Sequence, residues 1–285
     1  MNITALQTFL TVVDCGNLNK AADRLNVTQS TVTARLDALD NALGQTLLVR
    51  SRRGAELTRA GFIFRPYAET IVRGWEQSKS AVGLPTGYSG LFSFACAVDL
   101  WDSTGRALFG AIRSAHPDLA HEAWPGAPEE IRTWLANGLT DAALTSEPVT
   151  GDRLVSRELA RERLVQVTAA PPSGPPKDPV HVHVDLGAES RRHTVETRVA
   201  DRKAGVTYAC AAWALDHLMA EGGTAYLPHR LAAPLLATNR LRPVPDSPEF
   251  SRRLYLTYRE SSQTRFPWLG DDTTWRLPQD SPAVG

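Results

Sequence analysis

GNLNKAADRLNVTQSTVTARLDAL, residues 16–39, carries a helix, a tight turn and a second helix in about the length of a DNA-reading module. Leu18, Ala21, Ala22 and Leu25 recur at helical spacing and define one apolar face. The paired alanines leave room for a neighbouring helix to cross closely. Asn26-Val27 breaks the pattern, and Thr28 then stands where an N-cap oxygen takes up the free amides of a new helix. Val32, Leu36 and Leu39 form the buried face of that second helix, while Gln29, Ser30, Thr31, Thr33 and Arg35 decorate its outer face near the N-terminus. A helix that enters the major groove needs base-reading groups in its first turns. An ordinary helical hairpin has the same local pattern, so the flanks decide.

Upstream, Ile3, Leu6, Phe9, Leu10 and Val13 make an amphipathic helix. Downstream, Gly44 is placed to cap the second helix of the module. Residues 46–50 and 55–57 are expected as two short strands, with Arg50, Arg52 and Arg53 at the tip between them, a basic wing able to lie along phosphate. Thr58 has the position of an N-cap for a helix reaching to about Val82. Three helices and a basic hairpin make a winged helix-turn-helix.

The order and spacing of these residues resemble the N-terminal domain of the LysR-type transcriptional regulators. The family's pattern is matched by Gly16-Asn17-Leu18, Ala21-Ala22, Leu25, Thr28-Gln29, Val32-Thr33, Leu39-Asp40, Leu43-Gly44, Leu48-Val49-Arg50 and Leu57-Thr58-Arg59-Ala60-Gly61. Departures are conservative: Asn17 and Leu18 replace Ser and Phe, Asp40 replaces Glu, and Ser30 replaces a frequent proline. The resemblance implies that residues 59–82 are a linker helix pairing antiparallel with its twin, and that the regulator is a homodimer or homotetramer on double-stranded DNA. If the protein is an activator, RNA polymerase is a further partner. Gln29, Ser30, Thr31 and Thr33 are expected at base edges, Arg35 at a guanine or a phosphate, and Thr28, Arg50, Arg52 and Arg53 on the backbone.

The 285 residues suffice for about two domains, each with its own core. Charge is balanced overall, at 31 Lys+Arg against 31 Asp+Glu, but residues 1–80 carry ten basic against seven acidic groups. So modest an excess suits a module that adds phosphate contacts from several copies. The N-terminus shows no charged leader before an apolar run, and no stretch of about eighteen apolar residues occurs, so a cytoplasmic protein without a membrane partner is expected. Three cysteines, none in a CxxC pair, fit a reducing compartment. Within the long helix, Pro66 is expected to kink it or mark a local break.

Beyond Gly90, strands expected at 91–97, 120–124, 141–145, 154–159, 164–169, 181–186, near 196–199, 224–227 and 253–259 alternate with helices at 104–115, 128–139, 206–220 and 231–238, around a proline-rich loop at 171–179. Such alternation indicates mixed α/β architecture with largely parallel sheets. Its two halves resemble the periplasmic-binding-protein-like effector domain of the same family. The expected division is therefore 1–58 for the winged helix-turn-helix, 59–82 for the linker helix, 83–90 for a hinge and 91–285 for an effector-binding domain of two α/β subdomains.

Ligands of α/β domains sit beyond the carboxyl ends of strands, in the crevice between halves. That rule selects Asp99, Trp101, Asp102, Ser103 and Thr104 after the first strand, Thr145 and Ser146 after another, and Arg202, Lys203 and Tyr226 in the second half, as contacts for a small-molecule co-inducer. No other cofactor is expected. His181, His183 and Asp185 alternate on one strand at a spacing that could ligate metal, but exposed strands do so by chance, and no metal site is expected. Cys96 and Cys210 have no nearby resolving cysteine, which favours inert core thiols over redox sensors. No GxSxG, GxxxxGK, GxGxxG after a strand or HExxH occurs, so an enzyme is not expected. The rival to a DNA-binding regulator is a small-molecule receptor acting mainly through protein–protein contacts; the basic wing and polar helix favour the regulator.

Overall fold

A computed structural model describes residues 2–51, 54–169, 180–188, 191–192, 205–271 and Trp275, excepting the side chains of Arg50 and Ser51. The chain forms two compact units, Met1–Thr86 and Gly87–Gly285.

In the first unit, α1 (Ile3–Cys15), α2 (Leu18–Leu25) and α3 (Gln29–Leu43) are followed by the hairpin of β1 (Leu48–Ser51) and β2 (Gly54–Leu57) and the long α4 (Arg59–Val82). Local chemistry explains each boundary. The Asn17 carboxamide accepts from Asn19 N and Lys20 N to start α2, and Thr28 Oγ1 accepts from Thr31 N to start α3. Gly44, at φ 65°, closes α3 in the left-handed conformation. Leu6, Phe9, Ala21, Val32, Leu36, Leu39 and Ala68 form one core, and Phe64 of α4 tilts against Phe9. A side chain at Gly61 would strike Leu47 O at 2.1 Å, so glycine is what lets α4 begin against the hairpin. Of the kink or local break expected at Pro66, no break occurs, because helix α4 is continuous through it. Proline costs one amide bond there, while the Arg65–Glu69 pair (2.8 Å) and the packing of Ala68 hold the flanking turns.

The second unit has two lobes. In the first, β3 (Gly90–Ala97) pairs in parallel with β4 (Leu119–Gly126) and with β5 (Ala142–Thr145), and α5 (Arg106–Ala115) and α6 (Pro128–Asn137) connect them. The sheet is more antiparallel than the sequence suggests, because β11 (Phe250–Arg259) returns late and lies antiparallel to both β5 and β6 (Leu154–Ala169). Strand β6 is one 16-residue strand where two are expected. Its N-terminal part pairs with β11; its C-terminal part enters the second lobe, between β9 (Gly223–Pro228) and the short β10 (Arg242–Pro243). There β7 (Val182–Val184) and β8 (Val206–Tyr208) form a separate parallel pair, covered by α7 (Ala211–Glu221), while α8 (His229–Ala237) packs on β9. Residues 206–208 are thus strand rather than the start of a helix: Val206, Thr207 and Tyr208 are β-formers, and the helix begins only after Cys210, whose backbone is still extended. The unit closes with α9 (Glu260–Arg265). Each lobe has its own core, one around Phe92, Phe94, Leu144 and Leu256, the other around Val167, Val184, Leu218 and Leu227. The proline-rich loop at 171–179 and the strand near 196–199 lie outside the described residues.

Candidate functional site

Two features stand out: the outer face of α3 and the crevice between the lobes. On α3, Val32, Leu36 and Leu39 are buried and fix the helix by its back, leaving Gln29 and Ser30 exposed in the first turn with Thr31 and Thr33 half-exposed beside them. The hydroxyls of Ser30 and Thr31 lie 2.8 and 2.9 Å from Thr28 Oγ1, so the cap residue gathers a small hydroxyl cluster at the helix start. Arg35, one turn on, is half-buried and donates from Nη1 to Thr8 Oγ1 (3.3 Å), which steers its long side chain along α1. Arg50 stands on β1 with its backbone paired to Ala55. Arg52 and Arg53 lie outside the described residues.

The interlobe cleft has a volume of about 670 Å³. Its first wall is built from strand ends: Ala97, Val98 and Asp99 after β3, Pro125 and Gly126 at the end of β4, Thr145, Ser146 and Glu147 at the end of β5, and the first turn of α6. The facing wall comes from the second lobe through Asp185, Gly187, Arg191 and Ala209. The walls touch where Glu147 Oε1 accepts from Ala188 N (3.3 Å). Gly187, at φ 95°, comes so close to Ser146 that an added Cβ would lie 3.1 Å from its hydroxyl.

The charged side chains of the cleft already have partners. Asp185 bonds Arg191 (2.6 Å), Glu129 bonds Arg132, and Glu130 accepts from Ala127 N, filling the helix terminus that would otherwise invite an anion. Asp99 accepts from Arg252 Nη1 (2.5 Å), and this guanidinium is the central device of the unit. Arg252 on β11 sits opposite Glu162 on β6, and Nε donates to Glu162 Oε2 at 2.7 Å. The same Nη1 donates across to Leu186 O in the second lobe (3.0 Å), and Thr104 Oγ1 donates to Glu162 Oε1 (3.0 Å). The Arg252 side chain is only 1% exposed. Burial alone would lower its pKa, but Glu162 and then Asp99 hold it above the ordinary arginine value.

Of the residues selected from the sequence, Asp99, Thr145 and Ser146 line the cleft. Trp101, Ser103 and Thr104 do not: Trp101 packs beside Phe109, Ser103 Oγ donates to Leu100 O, and Thr104 is buried against Glu162. Asp102 shares their turn, also outside the lining. The physical reason is local, because residues 98–105 wind into a 3-10 turn and a π turn instead of opening a regular helix. Tyr226 is buried, its hydroxyl donating to Pro248 O and its ring against Phe250. Arg202 and Lys203 lie outside the described residues. The start of α6 and Asp185, Gly187, Arg191 and Ala209 also line the cleft but do not stand out in the sequence. The same strand-end rule applied to Gly126-Ala127-Pro128 would have found the first of these.

His181, His183 and Asp185 do not assemble a metal centre. His181 Nδ1 meets Thr224 Oγ1 (3.3 Å), and no cluster of three His, Cys, Asp or Glu able to hold a metal occurs among the described residues. The Cys96 thiol is pushed far above its ordinary pKa by burial, then by Asp99 and Glu162, which suits an inert core group. No described helix is long and apolar enough to cross a membrane.

Comparison with known proteins gives the same two parts. Residues 3–62 match the bacterial regulatory helix-turn-helix proteins of the lysR family, and residues 86–267 match the LysR substrate binding domain. The chain is 29% identical over 265 residues to the HTH-type transcriptional regulator HdfR of Escherichia coli O17:K52:H18, covering 92% of this chain and 93% of that one. Among solved structures it is similar to CbnR, a LysR family transcriptional regulator, at 19% identity and a TM-score of 0.72 over 94% of this chain and 98% of that one. Full-length CbnR complexed with target DNA gives 18% identity and a TM-score of 0.67 with the same coverage.

Proposed function

The chain belongs to the LysR family of DNA-binding transcriptional regulators with an effector-binding domain, and from that premise we propose how its parts divide the work. Residues 1–58 read the operator, 59–82 join two protomers, 83–90 form a hinge, and 91–285 hold the effector. Gln29, Ser30, Thr31 and Thr33 contact base edges from the start of α3. Thr28, Arg50, Arg52 and Arg53 hold the phosphate backbone, and Arg35 reaches a guanine or a phosphate from the far side of Thr8. The observation that carries this reading is the exposed polar first turn of α3, locked from behind by three buried side chains.

Dimerisation through α4 is supported by its outer surface. Phe62, Ile63 and Tyr67 are 74%, 55% and 64% exposed on adjacent turns of a helix whose opposite side packs on α1. A pair of protomers places two α3 helices on half-sites about one helical turn apart. Small-molecule binding in the interlobe cleft then biases the arrangement of the DNA-binding pairs, to the extent that the ligand prefers one arrangement. Asp99, Thr145 and Ser146 are its contacts on the first wall. Such a protein works in the cytoplasm, where its DNA is.

Fluorescence anisotropy of the full chain against DNA from just upstream of its own coding sequence tests this reading, with a scrambled duplex as control. Selective binding that weakens steeply with salt is expected. Equal affinity for both duplexes, followed by failure of random-sequence selection to enrich any site, would overturn it.

A further inference from the structure

A second hollow lies in the first lobe, on the face of the sheet that carries α5. In parallel register, Phe94 pairs with Ala123 and Cys96 with Pro125, so these four side chains share one face. Phe94 stacks on Phe109 (6.0 Å between centroids), and Phe109 in turn tilts against Trp101 (5.9 Å). The aromatic row stops there. Beyond it Ala123 and Cys96 present only a methyl and a thiol, and Gly105 packs closely behind Cys96: a Cβ on it would lie 2.6 Å from Cys96 Sγ and 3.3 Å from the Trp101 ring. The space left over has a volume of about 150 Å³ and is lined by Cys96, Trp101, Ala123, Trp124 and Pro125.

We propose that this hollow is a binding site for a six-membered aromatic ring of a small molecule. The hollow opens to solvent beside the half-exposed Trp124, but its lining is apolar and its volume has room for a benzene-sized ring. The lining holds no ionisable group apart from the Cys96 thiol, which donates to Ala97 O and stays neutral, so a charged headgroup has no partner inside. The ring finds an aromatic neighbour in Trp101 and a polarisable sulfur in Cys96, both of which favour contact with a π-system. Only Pro125 is shared with the lining of the interlobe cleft, so the site is distinct from the cleft and does not depend on what the cleft binds.

The test is ¹⁹F NMR of fluorobenzene titrated with the full-length protein. Saturable broadening is expected in the millimolar range or tighter. Ala123→Leu, which fills the hollow from the sheet side, is expected to weaken binding about tenfold or more, and Ala123→Val to weaken it less. Ser146→Phe, which crowds the interlobe cleft, is expected to leave it unchanged. Fluoroacetate, with no ring, is expected to show no response that depends on position 123. Absence of saturable fluorobenzene binding to the wild-type protein overturns the proposal. So does binding that survives Ala123→Leu and Ala123→Val in variants with native circular dichroism, or that disappears with Ser146→Phe.

Discussion

The two candidate sites are built in opposite ways. The face of α3 comes from one helix: cap, polar turn and buried back lie within 15 residues of each other. The cleft comes from the ends of β3, β4 and β5, the start of α6 and loops of the second lobe, and it is tied by an arginine 153 positions beyond its carboxylate partner Asp99. A site made from one element tolerates change elsewhere and is altered one side chain at a time. A site assembled from many ends depends on whatever holds those ends together, and here that is the Arg252 cluster.

The largest effect should follow from breaking that cluster. Arg252→Met leaves Asp99 and Glu162 in place with no guanidinium between them, and should destabilise the protein by about 3–5 kcal/mol. Urea unfolding followed by tryptophan fluorescence checks this; an unchanged midpoint would mean that the lobes are tied some other way. Next comes the surface of α4. Ile63→Glu places a charge in the proposed protomer contact and should turn a dimer into a monomer in sedimentation velocity at micromolar concentration, a loss of about 2 kcal/mol or more. Secondary structure should stay intact, because Ile63 points away from the core. The smallest effect belongs to the cap of α2. Asn17→Ala should cost about 1 kcal/mol of stability, read from thermal melting, and leave the preferred DNA sequence unaltered. A shift in sequence preference would show that the reading face is less self-contained than the comparison implies.

The same contrast explains what the sequence disclosed. Caps, left-handed glycines and helical spacing act over a few residues, so Thr28, Gly44 and the face of Val32, Leu36 and Leu39 were legible at once. In the second unit, the charged Arg161-Glu162-Arg163 falls in the gap between the strands expected at 154–159 and 164–169. The strand continues because Glu162 is neutralised by Arg252, 90 positions later, and no local window contains both. Trp101, Thr104 and Tyr226 were drawn to the site by a rule about strand ends, but side-chain direction after a strand depends on the turn that follows. Residues 98–105 make an irregular turn around Gly105, and this points Thr104 into the core. The start of α6 obeys the same rule, but Ala127 and Pro128 have little chemistry of their own to mark it.

The central claim is that the first turn of α3 reads base sequence. Selection from a random duplex pool with the wild-type protein and with Gln29→Ala tests it most directly. The expected result is a pair of enriched half-sites for the wild type and loss of preference at one symmetric base position for Gln29→Ala, equivalent to about 1–3 kcal/mol there. Identical motifs from both proteins, or a uniform drop in affinity with every position preserved, would contradict it.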